Sequence, residues 1–149
     1  MTDELSDSAM QAASEVRVVF GRLRRRLREL DESDDLTPSR TSVLTRLDRD
    51  GPASASELAA AERVRPQSMA AIVTSLLELD LIQRHPDPAD GRRQLISLTS
   101  AARRRLQGER RTRQEWLASS LQDTCTEDER QTILDALALL NRVVEATGR

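Results

Sequence analysis

A mainly α-helical fold carrying one small β-hairpin is predicted by three observations on this chain of 149 residues. The apolar mass is almost entirely Leu, Ala and Val. Phe20 and Trp116 are the only rings larger than that of His85, and tyrosine is absent. A β-sandwich core would need more aromatic and β-branched side chains. Apolar residues also recur at helical spacing in several separate segments. Finally, one pair of short runs, Ile82 to His85 and Arg93 to Leu98, flanks a turn containing Pro86, Pro88 and Asp90-Gly91, the pattern of a hairpin.

Residues 1–12 read as a flexible leader. Residues 13–36 hold an N-terminal helix from Ser14 to about Glu32, because Val16, Phe20, Leu23, Leu27 and Leu30 form one apolar stripe. Thr37-Pro38 starts a second helix, with a hydroxyl cap before a proline at the first helical position. Val43, Leu44 and Leu47 face inward until Asp50-Gly51-Pro52 ends it. Ser54 and Glu57 form a capping box for a short third helix containing Leu58 and Ala59. Arg63-Val64-Arg65 makes the next turn without a glycine. A fourth helix then runs from Pro66 to about Leu79, burying Met69, Ile72, Val73, Leu76 and Leu77 and presenting Gln67, Ala71, Thr74 and Glu78, flanked by Ser68 and Ser75. After the hairpin, Thr99 caps a long polar fifth helix to about Ser120. Thr126 and Glu129 form a second capping box for the last helix, striped by Ile133, Leu137, Leu140 and Val144.

These elements place a winged helix-turn-helix unit at residues 37–98, between the first helix and the C-terminal helices of residues 99–149. The terminal stripes have little to cover in so small a middle unit. Packing against a second copy solves this, and Val16, Leu137, Leu140 and Val144 are the expected dimer contacts.

Several classes of function are disfavoured. No apolar run is long enough to span a bilayer, and the first residues lack a signal-peptide pattern. The single cysteine, Cys125, forms no internal disulfide, so a cytoplasmic protein is expected. There is no nucleophile elbow, glycine-rich phosphate loop or paired histidine; catalysis, a metal and a cofactor are therefore not expected. His85 alone provides no ligand set. Acidic neighbours around Cys125 oppose thiolate formation.

The charge is unevenly placed. The whole chain is at -2, but from Arg63 to Arg113 eleven arginines face five acids, leaving that stretch at +6 and the remainder at -8. A local basic surface is what a phosphate backbone attracts. Double-stranded DNA is accordingly the expected partner, with the start of the fourth helix in the major groove. There Gln67 matches adenine, Ala71 a thymine methyl, Ser68 a base or phosphate and Thr74 the backbone, with Arg65 beside them. Arg92, with Arg93 beside it, suits a narrow minor groove at the wing tip, Asp90 holding Arg92 or Arg93 in an ion pair. Thr37, Ser39 and Arg40 are placed for phosphate contacts. A solvated helix face and an incidental charged turn are the alternatives.

The segment Leu81 to Thr99, with its Asp90-Gly91-Arg92-Arg93, resembles the wing of the MarR family of winged helix-turn-helix transcriptional regulators. Glu57-Leu58-Ala59 and Thr37-Pro38 agree with it in place and order. The resemblance implies a homodimer with intertwined terminal helices that binds an inverted repeat, usually as a repressor, and is released by a small aromatic or phenolic effector. Phe20, Leu23, Leu44, Leu47 and Trp116 are candidates for lining the effector pocket, although core packing explains them equally. Relatives that sense peroxide use a cysteine near the amino-terminal helix, which this chain lacks. An activator or ligand-independent DNA binder of the same fold remains open, as do a dimeric protein-interaction module and a Cys125 redox switch.

Overall fold

The computed structural model describes residues 5–30 and 36–146 and divides into two compact units, Met1–Arg110 and Arg111–Arg149. Helix α1 spans Asp7–Glu29. Its start corrects the expected flexible leader, since Ser6 Oγ accepts the Ala9 N–H at 3.2 Å and Asp7 lies in the first turn. A capped, alanine-rich segment is helical without an apolar stripe. Residues 1–4, and the expected helix end near Glu32, lie outside the described residues. No residue of α1 is fully buried; Val16, Leu23 and Leu27 are half-buried and Phe20 is 47% exposed.

Helix α2 (Pro38–Asp50) begins as expected, with Thr37 Oγ1 accepting the Arg40 N–H at 3.4 Å, and stops at Gly51, whose φ of 85° favours glycine. Helix α3 (Ala55–Glu62) carries the complete capping box: Ser54 N–H donates to Glu57 Oε2 at 2.8 Å and Glu57 N–H to Ser54 Oγ at 3.2 Å. Helix α4 (Pro66–Glu78) packs on both, and strands β1 (Ile82–Pro86) and β2 (Gln94–Leu98) form the antiparallel hairpin, registered from Ile82↔Leu98 to Pro86↔Gln94. The second strand thus starts one residue after the expected Arg93. Ala53 adds a bridge that the alternation did not predict, exchanging both backbone hydrogen bonds with Ile96 at 3.1 and 2.8 Å.

The core lies among α2, α3, α4 and the hairpin. Leu44, Leu58, Met69, Val73, Leu76 and Ile96 are essentially inaccessible; burying each such side chain stabilises by about 1.5–3 kcal/mol. Thr99 closes the unit. Its backbone N–H donates to the Leu81 carbonyl at 3.1 Å, its hydroxyl donates to the Asp80 carbonyl at 2.7 Å, and its Oγ1 accepts the Ala102 N–H at 3.1 Å. One residue, by its backbone and side chain together, therefore ties the turn after α4, the approach to β1 and the cap of helix α5 (Ser100–Thr124).

In the second unit α5 ends at Thr124, four residues past the expected Ser120. Helix α6 (Glu127–Ala146) has the expected box, Thr126 N–H to Glu129 Oε2 at 2.8 Å and Glu129 N–H to Thr126 Oγ1 at 3.3 Å. No residue of α6 is fully buried; Leu134, Leu137 and Leu139 are 58%, 40% and 54% exposed, and Val144 is 69% exposed. Among the described residues no helix is long and apolar enough to cross a membrane. The architecture is mainly α with a hairpin wing, in the order expected.

Candidate nucleic-acid interface

The turn into α4 is built on a non-glycine left-handed residue. Arg63 has φ 55° and ψ 42°; its N–H donates to the Ala60 carbonyl at 3.2 Å, and the Val64 N–H reaches back to Ala59 at 3.0 Å. This pair of bonds satisfies the last carbonyls of α3. Arg65 then takes extended angles, as a residue before proline must, and gives α4 no side-chain cap. The first N–H groups of α4 therefore keep their positive end of the helix dipole uncovered by any capping side chain.

Burial of Met69, Val73 and Leu76, with Ile72 and Leu77 partly packed on the core, decides which face of α4 is turned out. Arg65, Gln67, Ser68, Ala71 and Thr74 are all exposed, together with Ala70, which periodicity had not singled out. Its place one turn from both Gln67 and Thr74 was the available signal. Ser75 instead turns inward, and its Oγ is buried without a hydrogen-bond partner among the described residues. The first two turns of the outward face carry only small or uncharged side chains, with Arg63 and Arg65 at the start and the exposed Glu78 at the far end.

The wing differs from expectation in how its acids are used. Asp90 Oδ1 accepts the Arg92 backbone N–H at 3.1 Å and its carbonyl accepts the Arg93 N–H at 2.9 Å, while Asp87 Oδ1 accepts the Ala89 N–H at 2.9 Å. These are side-chain turns that shape the loop backbone. Asp90 thus orients the tip through main-chain bonds and not through the expected guanidinium pair. Arg93 turns to α3: it pairs with Glu57, donates to Ser54 Oγ at 3.3 Å and lies 3.9 Å from Asp87. The ion pair expected between Arg93 and Asp90 is thus made with Glu57 of α3 instead. The guanidinium beside Glu57, with the Ser54 N–H, holds that carboxyl down at about 2. Arg92 is exposed and forms no ion pair among the described residues.

At the start of α2, Thr37 and Ser39 are exposed and Arg40 is half-buried. The Thr37 hydroxyl accepts a cap bond yet keeps a proton to donate. On α5, Arg105 is held by Glu109 at 3.2 Å, whereas Arg103 and Arg104 are exposed.

Of the expected effector residues, Phe20, Leu23, Leu44 and Leu47 belong to the first unit and Trp116 to the second. Leu44 and Leu47 are 1% and 4% exposed, packed within the core, the alternative that the sequence left open for them. Phe20 is on the surface of α1, and Leu23 and Trp116 are half-buried. An open depression on α1 is lined by Arg17, Val18, Gly21, Arg22 and Arg25, none of them predicted. His85 Nδ1 lies 3.3 Å from the Pro86 carbonyl. Cys125 is a half-buried free thiol beside the Thr124 hydroxyl, with Sγ 3.7 Å from Oγ1.

The sequence profile of the MarR family matches residues 36–93, which span α2 through the wing loop. An HTH-type transcriptional regulator of Mycobacterium bovis is 36% identical over 139 residues, covering 93% of this chain and 96% of its own. The crystal structure of a candidate transcriptional regulator from Pseudomonas aeruginosa superposes with TM-score 0.80 at 38% identity, covering 94% of this chain and 98% of that one. A transcriptional regulator of Thermotoga maritima shares the fold, with TM-score 0.82 at 21% identity over 93% and 96% of the two chains. Likeness along nearly the whole length, together with an exposed reading helix and an arginine-tipped wing, places the chain in the MarR family of winged helix-turn-helix transcriptional regulators, which are DNA-binding proteins and not enzymes.

Proposed function

We propose that the chain acts as a homodimer on an inverted-repeat operator, laying α4 of each copy in a major groove and Arg92 of each wing in the flanking minor groove. The observation that carries this reading is the outward face of α4: Gln67, Ser68, Ala70, Ala71 and Thr74 are exposed together, with Arg63 and Arg65 at the helix start. A reading surface needs short polar and methyl-sized groups near base edges, with cations kept for phosphate. Thr37 and Ser39 supply further hydroxyls for phosphate. The dimer is supported by α6, whose exposed Leu134, Leu137 and Leu139 form more apolar surface than a solitary helix keeps in water. Action as a repressor released by a small aromatic or phenolic effector completes the reading; its support is the family resemblance, and Phe20 and Trp116 are the rings available to such a ligand.

Selection of bound duplexes from a random library, with affinity followed against salt, tests the proposal. An enriched inverted repeat with half-sites about one helical turn apart is expected. Sequence-independent binding of uniform strength overturns it.

A further inference from the structure

Arg93 stands one residue beyond the last ladder pair, Pro86↔Gln94, at the root of the wing tip. Its guanidinium reaches α3, where Glu57 divides its two oxygens: Oε1 takes Arg93 and Oε2 takes the Ser54 N–H of the capping box. Ser54 Oγ accepts from Arg93 as well, at 3.3 Å, and Asp87 lies across the loop at 3.9 Å. Side-chain exposures of 39% for Arg93 and 54% for Glu57 make this a surface pair, of a kind that adds little to stability by itself. Its geometry is another matter. Below this tie, β2 packs on α3 through the core and the Ala53↔Ile96 bridge lies three residues down the strand, so the Arg93 contact is the one nearest the tip among the described residues. Arg92, the next residue toward the tip, is exposed and shares its loop backbone with the tethered Arg93.

We propose that Arg93 is a positioning residue: anchored on Glu57, it sets the angle of the wing and hence the place at which Arg92 meets the duplex. This rests on the DNA-binding reading above and assigns a role within it. The capping box of α3 then has two uses, starting the helix and holding the wing. The Arg93 guanidinium, with the Ser54 N–H, holds the Glu57 carboxyl below its ordinary value and so favours the charged form of the anchor.

The full-length protein, the operator duplex enriched by selection, and the variants Arg92→Gln, Glu57→Gln, their combination and Arg93→Lys test this. Gln serves at the third helical position of a capping box, so Glu57→Gln removes the ion pair and keeps the cap. In the wild type, Arg92→Gln is expected to weaken binding about ten-fold and to lower the salt slope by about 1. Glu57→Gln alone reproduces most of that loss at an unchanged melting temperature. In the Glu57→Gln background, Arg92→Gln then costs less than about two-fold, the non-additivity of coupled residues. Arg93→Lys, which keeps a cation opposite Glu57, retains a large Arg92→Gln penalty. Additive losses, or full wild-type affinity in Glu57→Gln, overturn the proposal while leaving the DNA-binding reading intact. Failure of the wild type to select any repeat removes that reading and this role with it.

Discussion

Arg46 Nε donates to Glu62 Oε1 at 2.7 Å, and through that bond α2 grips the last residue of α3, just before the turn into the reading helix. Ser42 Oγ donates to the other carboxylate oxygen at 2.6 Å. The Glu62 side chain is 15% exposed and that of Arg46 29%, so water competes less for this pair than for an exposed pair such as Arg111–Glu115, at 80% and 64%. The two helices that frame α4 are thereby joined at the point where its direction is decided.

Glu62→Ala removes two acceptors and leaves a partly buried guanidinium and hydroxyl without them. Hydrogen bonds to charged groups contribute about 1.5–3 kcal/mol each, and partial exposure brings the expected total loss to about 2 kcal/mol. Urea denaturation followed by circular dichroism measures it. A loss below about 0.5 kcal/mol, the usual range of an ordinary surface substitution, refutes the clamp.

The same carboxylate makes stability depend on pH. The Ser42 hydroxyl, and after it the Arg46 guanidinium, hold Glu62 below its ordinary value of 4.5. A depressed folded value means the ionised form favours the native state. Its contribution is complete above 4.5 and disappears as pH falls through the lower folded value. The stability gap between wild type and Glu62→Gln is therefore expected to be constant from about pH 7 to about pH 5 and to shrink below that. A gap that widens on acidification contradicts the assignment.

Arg63 occupies left-handed backbone at φ 55° where glycine would sit without strain. Arg63→Gly is expected to raise stability by about 0.5–1 kcal/mol, the relief of the Cβ clash outweighing the looser unfolded chain. Operator affinity is expected to fall at the same time, with a shallower salt slope, because a cation beside α4 is lost. Thermal unfolding and binding titrations on one preparation show whether the two effects take opposite signs. A stabilised variant with undiminished affinity assigns Arg63 to the turn alone.

What the sequence made legible was local. Thr37-Pro38, Ser54 with Glu57 and Thr126 with Glu129 are caps whose partners lie three residues away, and all three open the helices they were expected to open. The buried stripe of α4 follows from a period of 3.6 residues, so its outward face was readable too, except for Ala70. Misses fall where that periodicity is weak or the partner is distant. Asp7 to Ala12 is helical through propensity and the Ser6 cap, with no stripe to announce it. The Ala53↔Ile96 bridge is one residue long and shows no alternation. Arg93 finds Ser54 across 39 residues of chain, so its choice of α3 over Asp90 depends on tertiary packing. Leu44 and Leu47 have the same composition whether they line a cavity or fill a core, and only the packing distinguishes these.

Gln67 lies on the exposed first turn of α4, and its amide can accept and donate to adenine in one plane. Gln67→Ala is expected to cost about 1–3 kcal/mol on the selected operator and to relax preference at one position of each half-site. The salt slope should stay unchanged, because no cation is removed. Repeating the duplex selection with the variant checks all three. Uniform weakening across sequences, with a changed slope, would place Gln67 on the backbone.

Leu137 is 40% exposed on α6, between Ile133 and Leu140 on one stripe. Ala136, Leu139 and Val143 extend that stripe around the helix, giving an apolar arc of more than about half the circumference, wider than one packing partner covers. An aspartate there costs little in an isolated chain, because water still reaches it, but it places an unpaired charge inside a dimer interface. Leu137→Asp is therefore expected to sediment as a monomer with wild-type helical content and to lose binding to the full inverted repeat. Weak binding to a single half-site should survive, since α4 and the wing are untouched. A variant that remains dimeric in sedimentation moves the interface away from this face of α6.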